Sequence, residues 1–193
     1  DKILASDDVH IEPEDRNIAL SFQDNSLFPN YKVIDNINFG KKRLNGSASD
    51  LDSKEIIKLL RIEPILEKFP HQISAGEAQR VSLARALSLE PEIILMDEPF
   101  SALDPNTRRL LRSQLVQLWQ DIGMTIIFVT HDIEEALELG DRIIVLGTRP
   151  SKVEKIITPK EKRPRNVDIC AELRDIKKEL ILLFEKLATT KVK

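Results

Sequence analysis

Residues 93–104, I-I-L-M-D-E-P-F-S-A-L-D, decide the fold predicted for this chain. The apolar residues 93–96 run directly into Asp97 and Glu98. A short apolar run bounded by turn residues is typical of a strand buried on both faces in a parallel sheet. Open α/β sheets place ligands at the carboxyl ends of their strands, where these carboxylates lie. Because adjacent acids repel each other, a magnesium ion bound to phosphates is the simplest group that would keep both ionised. The alternative is a buried strand that ends in two solvated acids.

Composition and charge narrow the class of protein. The chain has 193 residues, of which 41% are hydrophobic and 32% charged, and its net charge is -3. These values are ordinary for a soluble protein with one sizeable core, and they provide no basic surface for nucleic acid. The single Cys170 excludes an internal disulfide. No apolar run approaches the roughly 18 residues of a membrane span. We therefore expect a cytosolic protein that can dock onto a membrane partner.

Strands and helices are predicted to alternate along the chain. Strands are predicted at 18–22, 93–96, 125–129, 142–146 and 153–157. Helices are predicted at 33–39, 56–62, 64–69, 74–89, 106–122, 132–139 and 169–187. This alternation implies a parallel sheet and an α/β fold, with residues 33–72 as a small helical insertion.

Polar side chains follow three of these strands at the point where each strand ends. Gln23 follows the first strand, Asp97 and Glu98 follow the central one, and His131 follows the third. In a parallel sheet these ends should converge on one edge. Carboxylates and an amide there can hold magnesium and polarise an attacking water, and a histidine can donate to a terminal phosphate. Taken singly, Gln23 and His131 could instead be strand-end caps or solvated side chains.

Residues 74–77 have the form of a helix start. Ser74 at the N-cap and Glu77 three residues later make a capping box, which contributes about 1 kcal/mol of stability. A helix N-terminus also presents free N–H groups that can bind an anion, and Gly76 would let a phosphate approach the backbone. Both interpretations use the same geometry, so both stay open. A second capping box is predicted at Asp132 and Glu135. Asp104 and Pro105 are predicted to be the N-cap and the first residue of the helix that follows the central motif.

Five motifs, in the family's order, resemble those of the ATP-binding-cassette (ABC) ATPases. Residues 73–80, I-S-A-G-E-A-Q-R, resemble the signature motif of the family, and residues 93–99, I-I-L-M-D-E-P, resemble its Walker B segment. Residues 101–104, S-A-L-D, resemble the D-loop, and His131 in V-T-H-D resembles the switch histidine. Residues 21–29, S-F-Q-D-N-S-L-F-P, resemble the Q-loop. The resemblance covers residues 16–150 and implies a P-loop NTPase-like, three-layer α/β fold with a small helical subdomain.

Residues within and after these motifs resemble one kind of ABC protein. L-F-P in the Q-loop region and E-E-A-L after the switch histidine resemble subunits of bacterial importers. Residues 142–153 and the proline–arginine segment 163–165 resemble the nitrate, sulfonate and taurine branch most.

The resemblance implies binding of ATP and Mg²⁺ and a role for each motif residue. Asp97 would hold Mg²⁺ through water, and Gln23 would be a further ligand. Glu98 would be the general base, and His131 would contact the γ-phosphate. The family closes ATP between two subunits, so the signature would contact the γ-phosphate bound to the facing one. The residues of the signature site are Ser74, Ala75, Gly76 and Glu77. Asp104 would link the two sites.

This sequence departs from the family pattern in two ways. Ile73, Ala75 and Glu77 stand where the signature more commonly has Leu, Gly and Gln. The phosphate-loop pattern G-x-x-x-x-G-K-[ST] does not occur in the 193 residues, although the family places it before the Q-loop. We therefore expect a fold that is N-terminally truncated relative to the family, and a chain that is inactive alone.

Four parts are expected along the chain. They are a remnant of the ATP-binding core with the Q-loop (1–32), a helical subdomain ending in the signature (33–80), an α/β core with the remaining motifs (81–159) and a C-terminal helical tail (160–193). The apolar stripe of the last helix could be a dimer seam, but packing on its own domain is the favoured interpretation. The stripe comprises Ile169, Leu173, Ile176, Leu180, Leu183 and Leu187.

The function implied is that of an ATP-hydrolysing importer subunit on the cytoplasmic face of the inner membrane. Its expected partners are a second ABC ATPase subunit, a permease contacted by residues 24–39 and, indirectly, a solute-binding protein, but no nucleic acid. One alternative is a non-hydrolysing signature donor that completes the ATP site of an intact partner. Another is a cassette ATPase of DNA repair or translation, against which the acidic charge balance and the importer-like Q-loop region argue.

Overall fold

The computed structural model describes residues 3–4, 6, 9–22, 26–40, 53–147 and 151–189. The strands are β1 (Ile18–Ser21), β2 (Ile93–Asp97), β3 (Thr125–Val129), β4 (Ile143–Leu146) and β5 (Val153–Ile157). The helices are α1 (Val33–Asn38), α2 (Ser53–Leu59), α3 (Ala75–Leu87), α4 (Pro105–Ile122), α5 (Ile133–Leu139) and α6 (Ala171–Thr189). Contacts group them into two units, Asp1–Gln114 with Leu118–Val129, and Leu115–Gln117 with Thr130–Lys193. Gln23 and residues 41–52 lie outside the described residues.

The first unit is built on a parallel sheet in the order β1–β2–β3. Ser21 lies opposite Met96, and Asp97 lies opposite Val129. The carboxyl ends of the three strands therefore meet at one edge of the sheet, which confirms the predicted arrangement.

The central strand β2 is fully buried on only one face. Ile94 and Met96 are buried, whereas Ile93 and Leu95 are half-buried. Leu95 lies between Leu20 of β1 and Ile127 of β3 in the register, and about half of each of these neighbours is exposed. The prediction of burial on both faces was therefore wrong, because side chains alternate along a strand and the described residues cover this face incompletely.

Helix α3 joins the sheet to the helical insertion. It contacts β1, α1 and α2. The four residues predicted to face inward are all buried, namely Val81, Leu83, Ala84 and Leu87. The helix predicted at 64–69 is instead a single 3-10 turn, Glu63–Ile65, followed by a second turn at Pro70–Gln72. Pro70 restricts the residue before it, and Phe69 is extended at ψ 159°.

The second unit packs α6 on α5 and on the antiparallel pair β4–β5. The buried side chains of its core are Leu137, Val145, Ile157, Val167, Leu173 and Leu180. Ile176 and Leu183 pack against this core, so the stripe of α6 does face its own domain, as favoured from the sequence. Ile169 was wrongly included in the stripe: it precedes α6 and is 77% exposed.

Two arginines that follow β5 hold the C-terminal end of α5. Arg163 Nη1 donates to the Leu139 carbonyl oxygen over 3.0 Å, and Arg163 Nη2 forms an ion pair with Asp141 at 2.7 Å. Arg165 Nη1 donates to the Gly140 carbonyl oxygen over 2.6 Å. The last carbonyl groups of a helix lack partners within it, so these guanidinium groups supply the missing donors.

Among the helices of the described residues, none combines the length and the apolar character that crossing a membrane requires.

Candidate functional site

The two acids of the central motif lie where β2 ends. Asp97 is the last residue of β2 and is exposed, and Glu98 after it is half-buried. Glu98 N donates to the Val129 carbonyl oxygen over 2.9 Å, so the pairing with β3 continues one residue past the strand. The backbone of Glu98 is left-handed, with φ +45°. This conformation costs a residue with a Cβ atom about 1–2 kcal/mol, so the contacts around it must hold it.

The turn after Glu98 closes on a side chain from α3. The Glu98 carbonyl oxygen accepts hydrogen bonds from Ser101 N at 3.1 Å, from Ser101 Oγ at 2.9 Å and from Gln79 Nε2 at 3.0 Å. Ala102 N donates to Gln79 Oε1 over 3.3 Å. The sequence analysis did not single out Gln79. Its position four residues before the inward-facing Leu83 places an amide on the buried face, and that signal could have identified it.

The capping box predicted at the start of α3 is confirmed. Glu77 N donates to Ser74 Oγ over 3.2 Å, and Ser74 N donates to Glu77 Oε2 over 2.7 Å. Ser74 Oγ also donates to Glu77 Oε2, over 2.9 Å. Hydrogen bonding from the Ser74 backbone is the main cause that holds the pKa of Glu77 below its usual value. The Glu77 carboxylate is thus engaged by the cap, while the helix N-terminus remains on the surface.

Gly76 brings the start of α3 against the turn that follows β2. A methyl group added at Gly76 would lie 3.1 Å from Leu103 Cδ2 and 3.4 Å from the Ala102 carbonyl oxygen. The first of these distances is tighter than most real Cβ contacts. Glycine therefore allows the closest approach of the two segments at this point.

Asp104 ends the turn as the N-cap of α4. Its Oδ1 accepts from Asn106 N and from Thr107 N, each over 3.1 Å, and Pro105 is the first helical residue. The side-chain hydrogen bond from Thr107 is the largest cause that lowers the pKa of the Asp104 carboxyl. The predicted cap and helix start are confirmed.

His131 is exposed and lies two residues past β3, in the second unit. The residues beside it form a hydrogen-bonded frame: Thr130 Oγ1 donates to Glu135 Oε2 over 2.8 Å and accepts from Asp132 N over 3.0 Å. Asp132 caps α5 by accepting from Glu134 N at 2.8 Å. The capping box predicted at Asp132 is only half present, because the carboxylate of Glu135 accepts a hydrogen bond from Thr130 and the Asp132 N–H donates to Thr130 as well.

A buried asparagine of α1 holds residues 28–32, which begin within the Q-loop motif. Asn36 Oδ1 accepts from Phe28 N over 2.8 Å. Asn36 Nδ2 lies 3.1 Å from the carbonyl oxygens of Phe28 and Tyr31 and 3.2 Å from that of Lys32. One side chain thereby fixes the backbone of residues 28–32.

Three aromatic rings pack on this segment, and we call them the aromatic cluster: Phe28, Tyr31 and Phe39. The ring of Phe28 lies 4.3 Å from that of Phe39 and 5.8 Å from that of Tyr31, between centroids. Arg85 of α3 lies over the Phe28 ring at 5.4 Å and donates to the Ser26 carbonyl oxygen over 2.9 Å. Burial lowers the pKa of Arg85. The cluster is partly solvent-accessible, since Tyr31 is 44% exposed.

The structure brings one group of the predicted site residues together. The turn from Asp97 to Asp104 packs against the cap at Ser74–Glu77 through Gly76 and Gln79. Neither Gln23, outside the described residues, nor His131, in the second unit, is placed relative to this turn. Across the described part of the chain, no group of three or more His, Cys, Asp or Glu side chains is arranged to hold a metal ion.

Several known proteins are similar in sequence to this chain over most of its length. The chain is 45% identical over 145 residues to the sulfate/thiosulfate import ATP-binding protein CysA 2 of Agrobacterium fabrum, covering 73% of this chain and 42% of the relative. It is 41% identical over 169 residues to CysA of Nitrosomonas europaea, covering 83% and 46%. An uncharacterised ABC transporter ATP-binding protein of Methanocaldococcus jannaschii, MJ0412, is 40% identical, with 79% and 57% covered. The chain therefore spans about half the length of the curated relatives it matches.

Solved structures that are similar to this chain belong to the same kind of protein as these sequence relatives. The cassette MJ0796 in a dimeric post-hydrolysis state, bound to ADP and Pi, superposes with a TM-score of 0.66 at 30% identity, covering 79% of this chain and 66% of that one. A second dimeric MJ0796 structure gives 0.67 at 31%, with the same coverage. A family model described as ABC transporter matches residues 2–101, which is more than half of the 193. The mixed α/β fold is thus that of an ABC ATPase cassette, and the chain belongs to the ABC transporter family.

Proposed function

We propose that the whole protein is the ATP-hydrolysing subunit of a bacterial importer and energises the uptake of a small solute across the inner membrane. The observation that carries this proposal is that the turn after β2 packs against the cap of α3 through Gly76 and Gln79. An acid directly after the central strand and a helix N-terminus that can bind phosphate then belong to one packed body. The printed names of the relatives support a role in import. Because this chain spans about half of their length, we assign the activity to the whole protein.

The proposed reaction is attack of water on the γ-phosphate of ATP, which breaks the bond between the γ-phosphorus and the β–γ bridging oxygen and releases ADP and phosphate. Glu98 accepts a proton from that water as the general base, and His131 donates a hydrogen bond to the γ-phosphate. The frame of Thr130, Asp132 and Glu135 supports this role, since it fixes the backbone on both sides of His131.

Asp97 would hold Mg²⁺, and Gln23 would be a further ligand. The exposed carboxylate fits this ion, because Mg²⁺ binds through one or two carboxylates together with waters and substrate phosphates and does not require a protein cage. When bound, the ion neutralises charge on the β- and γ-phosphates.

The cap of α3 would act on ATP held by a second ABC ATPase subunit. Ser74 and the N–H groups of Ala75 and Gly76 would face the γ-phosphate of that ATP. Glu77 adds a negative charge at this position, but the cap holds its carboxylate back toward Ser74. Asp104, at the far end of the same turn, would link the two sites.

The aromatic cluster would be the contact for the permease, within the predicted range 24–39. It presents apolar rings that are partly exposed and rests on a segment that Asn36 and Arg85 hold in place. A short helix from a membrane-spanning partner would cover such a surface. The subunit would then work peripherally on the cytoplasmic face, with a solute-binding protein acting through the permease.

The sequence relatives favour a different solute from the one that residues 142–153 and 163–165 suggested. They do not support the nitrate, sulfonate and taurine branch, and the names of several refer to sulfate and thiosulfate import. We therefore propose an inorganic sulfur oxyanion. Uptake of labelled sulfate by cells that depend on this protein should exceed uptake of labelled nitrate and taurine; equal or reversed uptake would refute that choice.

The function is tested with the transporter assembled in membrane vesicles. Glu98→Gln keeps the size of the side chain and removes the base, so we expect phosphate release to fall by about 10²–10⁴-fold while ATP still binds. Glu92→Gln is the matched control, because Glu92 is an exposed acid just before the same strand. An unchanged rate in Glu98→Gln would contradict the hydrolytic role.

The same experiment distinguishes a hydrolysing subunit from the alternative, a non-hydrolysing signature donor. In that case Glu98→Gln would leave the rate unchanged, whereas Ser74→Ala and Gly76→Val would still lower it, because the partner's ATP site would lose its signature contacts. A hydrolysing subunit should instead be impaired by all three substitutions.

A further inference from the structure

Gln79 is a buried side chain whose hydrogen bonds all go to one turn. It is 1% exposed. Its Nε2 donates to the Glu98 carbonyl oxygen over 3.0 Å and lies 3.5 Å from Ser101 Oγ, and its Oε1 accepts from Ala102 N over 3.3 Å. The partners fix the orientation of the amide, because a carbonyl oxygen can face only Nε2 and a backbone N–H only Oε1. Gln79 therefore grips the turn by a donor and an acceptor at once.

The peptide that Gln79 grips is held in an unfavourable conformation. Glu98 has φ +45°, and its carbonyl oxygen accepts from Ser101 N, Ser101 Oγ and Gln79 Nε2. Two of these donors belong to the turn itself, so Gln79 is the donor that ties the carbonyl to another element. Glu98 N would still donate to the Val129 carbonyl oxygen, but removing Gln79 would take away one of the contacts that hold this left-handed residue, and the direction of the Glu98 side chain would be less well fixed.

The helix that carries Gln79 also carries the cap. Gln79 follows Ser74 by five residues, which is about 7.5 Å along a helix. Gly76 makes a second contact between this helix and the turn, at Leu103. A helix shorter than two turns between two such contacts cannot bend appreciably, so the cap and the Glu98 peptide move together.

We propose that Gln79 is a positioning residue that couples the two ATP sites of a dimer. This inference rests on the proposed function, in which the cap acts on the ATP of the partner subunit and Glu98 acts on the ATP of its own subunit. Closure of the cap on the partner's ATP sets the position of α3, and Gln79 transmits that position to the Glu98 peptide. Hydrolysis at one site then depends on occupancy of the other.

The test uses the transporter assembled in membrane vesicles, with the rate of phosphate release measured against ATP concentration. Gln79→Leu is similar in volume and removes every hydrogen bond of the amide. Gln79→Glu keeps an acceptor for Ala102 N, and when measured at a pH high enough to ionise the new carboxyl it places an unprotonated oxygen against the Glu98 carbonyl oxygen, so the donor is lost. Gln120→Leu is the matched control, because Gln120 is an exposed glutamine of α4.

We expect Gln79→Leu and Gln79→Glu to lower kcat by about 10–100-fold, because a displacement of about 1 Å at a catalytic group has effects of this size. Their affinity for ATP, measured by equilibrium binding, should change by less than about threefold. The Hill coefficient for ATP should fall from above one toward one, since a dimer with two coupled sites can reach about two. Gln79→Glu should retain protection of the Ala102 amide against hydrogen exchange, which reports that the variant is folded around the turn.

The outcomes distinguish this inference from the proposed function. If Glu98→Gln lowers the rate and Gln79→Glu leaves kcat and the Hill coefficient unchanged, the coupling role is refuted and the ATPase stands. If kcat falls but the Hill coefficient does not, Gln79 only supports the fold of one site, and the coupling role is also refuted. If Glu98→Gln has no effect, the proposed function itself fails.

Discussion

Asn36 allows a sharp test of how residues 28–32 are held. Its amide nitrogen lies against the carbonyl oxygens of Phe28, Tyr31 and Lys32, and its oxygen accepts from Phe28 N. Asn36→Asp keeps the shape and the acceptor but replaces the donor by an oxygen. That oxygen would face carbonyl oxygens in a fully buried site, so the ionised form is disfavoured and the pKa of the new carboxyl should be raised.

The loss of stability in Asn36→Asp can be estimated from the free-energy cost of keeping the new carboxyl protonated in this site. Protonating a carboxyl of unfolded pKa about 3.9 at pH 7 costs about 4 kcal/mol, at 1.36 kcal/mol per pH unit. The neutral acid has one hydrogen where the amide has two, which adds about 1 kcal/mol for a lost hydrogen bond. We therefore expect the segment to be destabilised by about 5 kcal/mol at pH 7. Because the folded pKa is raised, the loss should shrink by about 1.4 kcal/mol for each pH unit below 7 and be mostly relieved near pH 4.

Native-state hydrogen exchange at the Phe28 amide measures this loss directly, since that N–H is bonded to the side chain in question. Asn38→Asp makes the same chemical change on the same helix, at a half-buried side chain that makes none of these contacts. It should alter exchange at Phe28 by less than about 0.5 kcal/mol. Equal effects of the two substitutions, or an effect of Asn36→Asp that does not vary between pH 5 and pH 7, would refute the reasoning.

Three shorter predictions concern single contacts. The lowered pKa of Glu77 means that its stabilisation of the α3 cap is present above the unfolded pKa and lost as the pH falls through the folded value; Glu77→Gln should flatten this acid dependence, measured by the melting temperature between pH 3 and pH 7. Thr130→Val removes a donor from the buried carboxylate of Glu135 and should cost about 1–3 kcal/mol in urea unfolding, whereas Thr130→Ser, which keeps the hydroxyl, should cost less than half as much. Arg85→Met keeps a long side chain but loses the cation and the bond to Ser26, so amide exchange near Phe28 should accelerate about 3–10-fold; an unchanged rate would count against that contact.

Contacts between residues close in sequence were the ones that the sequence predicted well. The capping box of Ser74 and Glu77 and the cap at Asp104 join residues two or three positions apart, so spacing alone specifies them. The contacts of Gln79 with Glu98 and Ala102 span 19 and 23 residues. They exist only because α3 packs beside the end of β2, and residue spacing does not encode that arrangement.

Local patterns also failed where two partners compete for one group. The spacing of Asp132 and Glu135 predicts a second capping box, but Thr130 lies close enough to take both the Asp132 N–H and the Glu135 carboxylate. Similarly, Ile169 continues the apolar period of α6 although the helix begins only at Ala171. An apolar period indicates which face would be buried, and it does not determine where the helix begins.

The arginines that contact α5 make residues 163–165 part of the support of the backbone beside His131. A helix of seven residues is too short to persist by its own hydrogen bonds. It is secured at one end by Asp132, next to His131, and at the other by Arg163 and Arg165. A protein trimmed before Arg163 to shorten its tail would therefore loosen the backbone beside His131, about ten ångströms away along the helix. The basic residues Arg163 and Arg165 therefore stabilise the helix that follows His131, and removing them would also affect the backbone beside that histidine.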